Sequence, residues 1–186
     1  VVLDLLEDTL YKRKDEATAR HLVAWLPGGA ARVLADISAL AHAAGLLRER
    51  WQAHVLRARA TLDAEPSSLT SAAAATDRLL RVLAEPAAPD PLGFLGFAHA
   101  LLARAAARLS DGRTCRAATR RAQERLGDGV SPIALTARMQ LARASWVSGD
   151  AAHAREMLDD VERRAGALGF GFIAWQARKL EASLRG

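Results

Sequence analysis

The 186-residue chain has a single cysteine, Cys115, and only nine aromatic residues: four Trp, four Phe and one Tyr. One cysteine excludes an intramolecular disulfide, so no oxidising compartment is required for folding. No apolar run approaches the ~20 residues that a membrane-spanning helix needs. The first residues also lack the basic segment and apolar core of a signal peptide. These absences predict a cytoplasmic protein with no membrane partner.

Residue patterns that carry catalysis or bind metals are missing as well. The five histidines are scattered, and no two have the spacing of a zinc or di-iron site. The glycines form no phosphate-binding loop. Cys115 has arginine neighbours but no adjacent base that would make it a nucleophile. We therefore expect no enzymatic activity, no metal and no cofactor.

Alanine and arginine dominate what remains, and both are strong helix formers. Apolar residues recur three and four positions apart, and no segment alternates as a strand would. The pI near 10.3 is that of a basic protein, but its arginines are interspersed with Asp and Glu, so nucleic acid is an unlikely partner. One basic face, with Arg116, Arg120 and Arg113, could bind a phosphate or an acidic peptide.

Turn-forming residues divide the chain into helices. Asp90-Pro91 and Ser131-Pro132 each offer a capping side chain followed by proline at the first helical position. Gly149 ends one helix, and Asp150 caps the next. About ten helices are predicted, over residues 2–12, 15–26, 30–44, 47–64, 69–84, 91–110, 113–126, 131–148, 151–166 and 171–185.

Helix starts near residues 47, 91, 131 and 171 fall every 40 to 44 residues, and a partner helix follows each one. Trp51-Gln52-Ala53 recurs as Trp175-Gln176-Ala177, and a leucine and an alanine follow both at matching distances. A recurrence of this kind indicates helix pairs that stack side by side. Gly93-Phe94 and Gly169-Phe170 precede two of the first helices. There the glycine permits a tight turn, and the phenylalanine fills the junction.

A better-defined pattern lies in the last quarter of the chain: Leu141-Ala142, Gly149-Asp150, Ala154, Leu158 and Val161. It resembles the tetratricopeptide consensus, in which a large–small pair packs beside a small residue of the second helix. The resemblance implies an all-α, right-handed α-α superhelix of about ten antiparallel helices. Residues 1–186 would form one helical-repeat domain, part of a longer protein.

Two features depart from that consensus: a period of about 40 residues rather than 34, and Ser145 where an aromatic residue is usual. Longer repeats rich in Ala, Arg and Leu are similar to the helical regions of large bacterial regulators. These include the MalT-like and LuxR-type activators and the repeat tails of some kinases and cyclases. The resemblance implies a role in protein interaction, self-association or effector binding.

In such a stack the first helices line the concave surface, and tryptophan and arginine dominate binding hot spots. Another interpretation is that the tryptophans seal junctions between repeats. On the first interpretation, the candidate binding residues are Trp51, His54, Arg143, Trp146, Trp175 and Arg178.

The leading hypothesis is a protein–protein interaction module of a bacterial regulatory or signalling protein, which binds a partner or itself. The alternative is a small-molecule effector-sensing domain of a transcriptional regulator. The last helix has no capping repeat behind it, so Ile173, Ala177, Leu180 and Leu184 are predicted to be partly uncovered. A second copy or the rest of a longer chain would then bury them.

Overall fold

The computed structural model describes residues 36, 39–40, 43, 47–85 and 93–185. These residues contain no strand, and the protein is all-α there. The predicted helices 2–12 and 15–26 lie outside the described residues, and the few described positions within 30–44 are helical. Seven further helices are described: α1 Leu47–Ala64, α2 Leu69–Ala84, α3 Phe94–Arg108, α4 Gly112–Leu126, α5 Pro132–Val147, α6 Ala151–Ala167 and α7 Gly171–Arg185.

Two of the predicted capping residues, Ser131 and Asp150, begin helices α5 and α6. Ser131 accepts a hydrogen bond from the Ala134 N–H at 3.2 Å, and Asp150 accepts one from the His153 N–H at 3.1 Å. Helix α3 begins at Phe94 rather than at the predicted residue 91. Its N-cap is Gly93 in the left-handed conformation. Asp90-Pro91 lies outside the described residues.

Glycine and phenylalanine act at the helix junctions as predicted. Gly93 and Gly169 have φ angles of 77° and 74°, which a residue with a Cβ adopts only at a cost. The Phe94 ring meets the Trp51 ring edge-on at 6.3 Å, between α1 and α3. Phe170 packs against the buried side chains of α5, α6 and α7. Each aromatic side chain therefore fills the space beside the turn that precedes it.

All the extensive helix contacts join helices that are one or two positions apart in the chain. Short turns fold α2 back on α1, α4 on α3 and α6 on α5, and α3 also packs broadly against α5. The first helices α3, α5 and α7 start at residues 94, 132 and 171, whereas α1 starts at 47. The repeat interval is therefore near 39 residues in this half and longer before α3.

Two buried clusters form the core, and α5 contributes to both. Ala137 and Leu141 pack with residues of α1 to α4, whereas Leu135 and Met139 pack with α6 and α7. The apolar positions of the tetratricopeptide-like pattern are at most 2% exposed, namely Leu141, Ala142, Ala154, Leu158 and Val161, whereas its turn residues Gly149 and Asp150 are exposed. Small residues at these positions allow the helices to approach closely.

The prediction of an uncovered face on the last helix is wrong. Ile173, Ala177 and Leu180 are buried in the second cluster, and the half-buried Leu184 packs against it. This apolar stripe faces α5 and α6 of the same chain. It holds α7 against these two helices.

Helix α3 is enclosed on every side. Every residue from Leu95 to Ala107 is buried, because α1, α2, α4 and α5 all pack against it. Alanines and Gly96 make this possible, and a Cβ added at Gly96 would lie 2.7 Å from Cδ2 of Leu126. Two polar side chains, His99 and Arg104, are buried within this apolar helix.

His99 has no hydrogen-bond partner for Nδ1 among the described residues. Burial lowers the pKa of its imidazole, and the nearby Arg121 and Arg125 lower it further. We therefore take His99 to be neutral in the folded protein near pH 7.

Ala154→Leu should lower the free energy of unfolding by about 1–3 kcal/mol, because the larger side chain overfills a closed contact. The matched control is Ala152→Leu on the exposed side of the same helix, which should change it by less than about 0.5 kcal/mol. Urea denaturation followed by circular dichroism measures both. Equal effects would contradict the packing described here.

The unfolded chain should bind a proton at His99 below about pH 6.5, whereas the folded chain resists it, so stability should fall from pH 7 to pH 5. His99→Leu should reduce this loss. Part of the loss of stability should remain in this variant, because burial and Arg78 also lower the pKa of His54. Urea denaturation across this pH range tests the prediction, and identical pH profiles for both proteins would refute it.

Candidate functional site

The three described tryptophans of the predicted set occupy different parts of the structure. The Trp51 indole N–H donates to the Val82 carbonyl at 3.1 Å, which ties α1 to α2. The Arg155 guanidinium lies over the Trp146 ring at 5.6 Å, between α5 and α6. Trp175 stacks on Phe172 of its own helix, with centroids 5.6 Å apart. All three are half-buried.

The other three predicted residues have different surroundings. His54 is half-buried on α1, within the electrostatic influence of Arg78 on α2. Arg178 is 60% exposed and forms an ion pair with Glu162 at 3.3 Å. Arg143 reaches across from α5 to Asp63 near the end of α1. Of the six, Arg143 leads to the most highly connected polar group in the described chain.

Arg104 lies at the centre of that group, with its side chain only 1% exposed. Its Nη1 donates to Oδ1 of Asp63 at 2.6 Å and to Oε1 of Gln140 at 2.8 Å. Its Nη2 donates to the Leu62 carbonyl at 3.0 Å. One guanidinium group therefore joins α1, α3 and α5.

Three more arginines complete what we term the Asp63 cluster: Asp63 with Arg59, Arg104, Arg108 and Arg143. Arg143 donates to Oδ1 of Asp63 at 3.1 Å, and Nε of Arg59 lies 3.5 Å from Oδ2. Arg108 donates to the Leu62 carbonyl at 3.0 Å. That carbonyl belongs to the last turn of α1, where cations are favoured.

Positive charge in the Asp63 cluster is only partly neutralised. Three guanidinium groups pair with the one carboxylate and that of Arg108 binds the adjacent Leu62 carbonyl, so four positive charges against one negative charge leave an excess of three. Burial alone would raise the pKa of Asp63, but Arg104, Arg59 and Arg143 hold it below its ordinary value. Burial and the neighbouring Arg104 lower the pKa of Arg143 to about 10.

The outer side of the cluster faces solvent. The side chains of Arg59, Asp63 and Arg143 are 31%, 38% and 33% exposed, in contrast to Arg104. The Nε atoms of Arg104 and Arg143 are buried and have no hydrogen-bond partner among the described residues. A carboxylate or phosphate arriving from outside would find guanidinium groups already held in position.

Sequence reasoning missed Arg104 and Asp63, although a signal for Arg104 was present. Leu102–Ala105 and Leu141–Ala144 share the sequence Leu-Ala-Arg-Ala, 39 residues apart. The repeat places Arg104 and Arg143 at equivalent positions of two successive first helices. No repeated sequence at this interval points to Asp63, because α1 precedes α3 by a longer interval.

Comparison with protein-family models, with curated proteins and with solved structures finds no match to this chain. Among the described residues, no group of three or more His, Cys, Asp or Glu side chains could hold a metal ion. None of the described helices has the length and apolar character to cross a membrane.

Arg104→Ala should lower the free energy of unfolding by about 3 kcal/mol, because it empties a buried site and breaks a buried ion pair. Arg143→Gln should change it by less than about 1 kcal/mol, since this arginine is partly solvated and repelled by Arg104. Urea denaturation provides both values. If Arg143→Gln were the more damaging, the assignment of Arg104 as the structural centre would fail.

Proposed function

We propose that the chain is a non-enzymatic binding module that docks an acidic segment of a protein partner against the Asp63 cluster. The observation that carries the proposal is the excess of three positive charges, with Arg59 and Arg143 partly open to solvent. The partner would be another protein or a second copy of the chain. In the bacterial regulators that the repeats resemble, this role would belong to a cytoplasmic regulatory or signalling protein.

Acidic side chains suit this surface because Asp63 alone cannot satisfy the arginines around it. A carboxylate from a partner could accept hydrogen bonds from Arg143 and Arg59 in the fork geometry that guanidinium groups favour. It would also offset the burial and the repulsion by Arg104 that together lower the pKa of Arg143. Binding would then reduce the excess positive charge of the Asp63 cluster, and its guanidinium groups would need to move little because hydrogen bonds already hold them.

An extended partner fits the placement of the cluster. Arg59, Arg104 and Arg143 come from α1, α3 and α5, so a chain crossing the cluster would pass over successive first helices. We further propose that these helices belong to a right-handed superhelix of the tetratricopeptide-like kind and line its concave face. Supporting observations are the contacts between near neighbours in the chain and the interval near 39 residues.

A fluorescein-labelled peptide of about ten glutamates, followed by fluorescence anisotropy in low salt, tests the proposal. Arg143→Gln should weaken binding roughly tenfold, the loss expected for one charge-assisted hydrogen bond. Raising the salt concentration should weaken binding to the unmodified protein as well, because added ions screen exposed charges.

The control is Arg163→Gln, which removes the same charge from an exposed position on α6 where Arg163 pairs with Asp160. It should leave the affinity unchanged. Equal losses in both variants would show that the peptide responds only to overall charge, and the proposed site would be wrong.

A further inference from the structure

The contact between α4 and α5 is an exception in the packing. A second helix packs broadly against the next first helix twice in the described chain, α2 on α3 and α6 on α7. Helix α4 instead packs mainly on α3 and touches α5 only slightly. An open groove of about 280 Å³ lies between these two helices.

Most residues that line this groove have polar side chains, although apolar atoms form the larger part of its surface. Arg116, Thr119, Arg120 and Gln123 come from α4, Ser145 from the last turn of α5, and Ser148 from the C-cap that follows it. The one acidic side chain in the lining is Asp150, whose carboxylate accepts a hydrogen bond as the N-cap of α6. Donors therefore outnumber acceptors on the walls.

Arg116 and Arg120 lie one helical turn apart and are exposed. Neither forms an ion pair within 4.0 Å with any residue that the structure describes, whereas Arg104 and Arg143 both bind Asp63. Two guanidinium groups at this spacing can hold one anion between them. Across the groove, the hydroxyl groups of Ser145 and Ser148 can donate to the same anion.

We infer that this groove binds the phosphate group of a small phosphorylated molecule. A phosphate dianion has several oxygens to satisfy, which matches two guanidinium groups, three hydroxyls and an amide. A volume of about 280 Å³ is near the lower end of ligand sites and suits a small metabolite. The site is separate from the Asp63 cluster and does not depend on the acidic-segment proposal.

Titration with inorganic phosphate at pH 7.5 and constant ionic strength, followed by ¹⁵N NMR, tests the inference. Backbone signals of Thr119, Ser145 and Ser148 should shift and saturate together. Arg120→Gln should weaken binding at least about tenfold. The control Arg125→Gln lies on the same helix and outside the groove lining, and should bind as the unmodified protein does.

Ser145→Phe fills the groove without changing the charge. It should abolish the phosphate-induced shifts while the helical circular dichroism is retained. If it unfolds the protein, Arg116→Gln provides the same test by removing a donor and should also weaken phosphate binding at least tenfold. Unchanged phosphate affinity in a folded Ser145→Phe, or in Arg116→Gln, would overturn the inference.

Two further titrations, with a phosphate ester and with a carboxylate, test whether the groove selects phosphate over other anions. Glycerol 3-phosphate should produce the same shifts as inorganic phosphate, whereas acetate at equal ionic strength should not. If acetate moves the same signals to the same extent, the groove merely attracts anions, and a phosphate site is excluded. Arg120→Gln should still bind the glutamate peptide, because Arg120 is not part of the Asp63 cluster. If the groove does not bind phosphate, the proposal for the Asp63 cluster is therefore unaffected.

Discussion

The three first helices α1, α3 and α5 meet at the guanidinium group of Arg104. A buried cation is costly unless a carboxylate and hydrogen-bond acceptors match it, so the partners of Arg104 must be in place together. Asp63, Gln140 and the Leu62 carbonyl provide that match from two neighbouring helices. The hydrogen bonds therefore fix how far each helix is displaced along the others.

Alanine contacts alone could not fix that displacement. Small side chains permit close approach but fit almost equally well after a shift of one turn, since they present a nearly smooth surface. Helix α3, which is buried from Leu95 to Ala107, has six alanines and Gly96 among those thirteen positions. The polar group at its C-terminal end adds a directional attachment to these small contacts. The same group leaves partly exposed arginines that a partner could use.

Local chemistry made much of the fold predictable. The caps Ser131 and Asp150 and the turn at Gly169 set helix boundaries from within a few residues, so the sequence was sufficient there. The burial of the α7 stripe depended on which neighbours cover it, and that prediction failed. The pairing of Arg104 with Asp63 spans 41 residues and a break in the repeat interval, so no local pattern could reveal it.

Helix α5 carries three different surfaces on sixteen residues. Leu135 and Met139 belong to one core, Arg143 reaches the carboxylate of α1, and Ser145 faces the groove. Inserting a single residue would rotate everything after it by about 100°. After such a rotation the three surfaces could not all face their present neighbours. This helix should therefore tolerate a substitution far better than any change in its length.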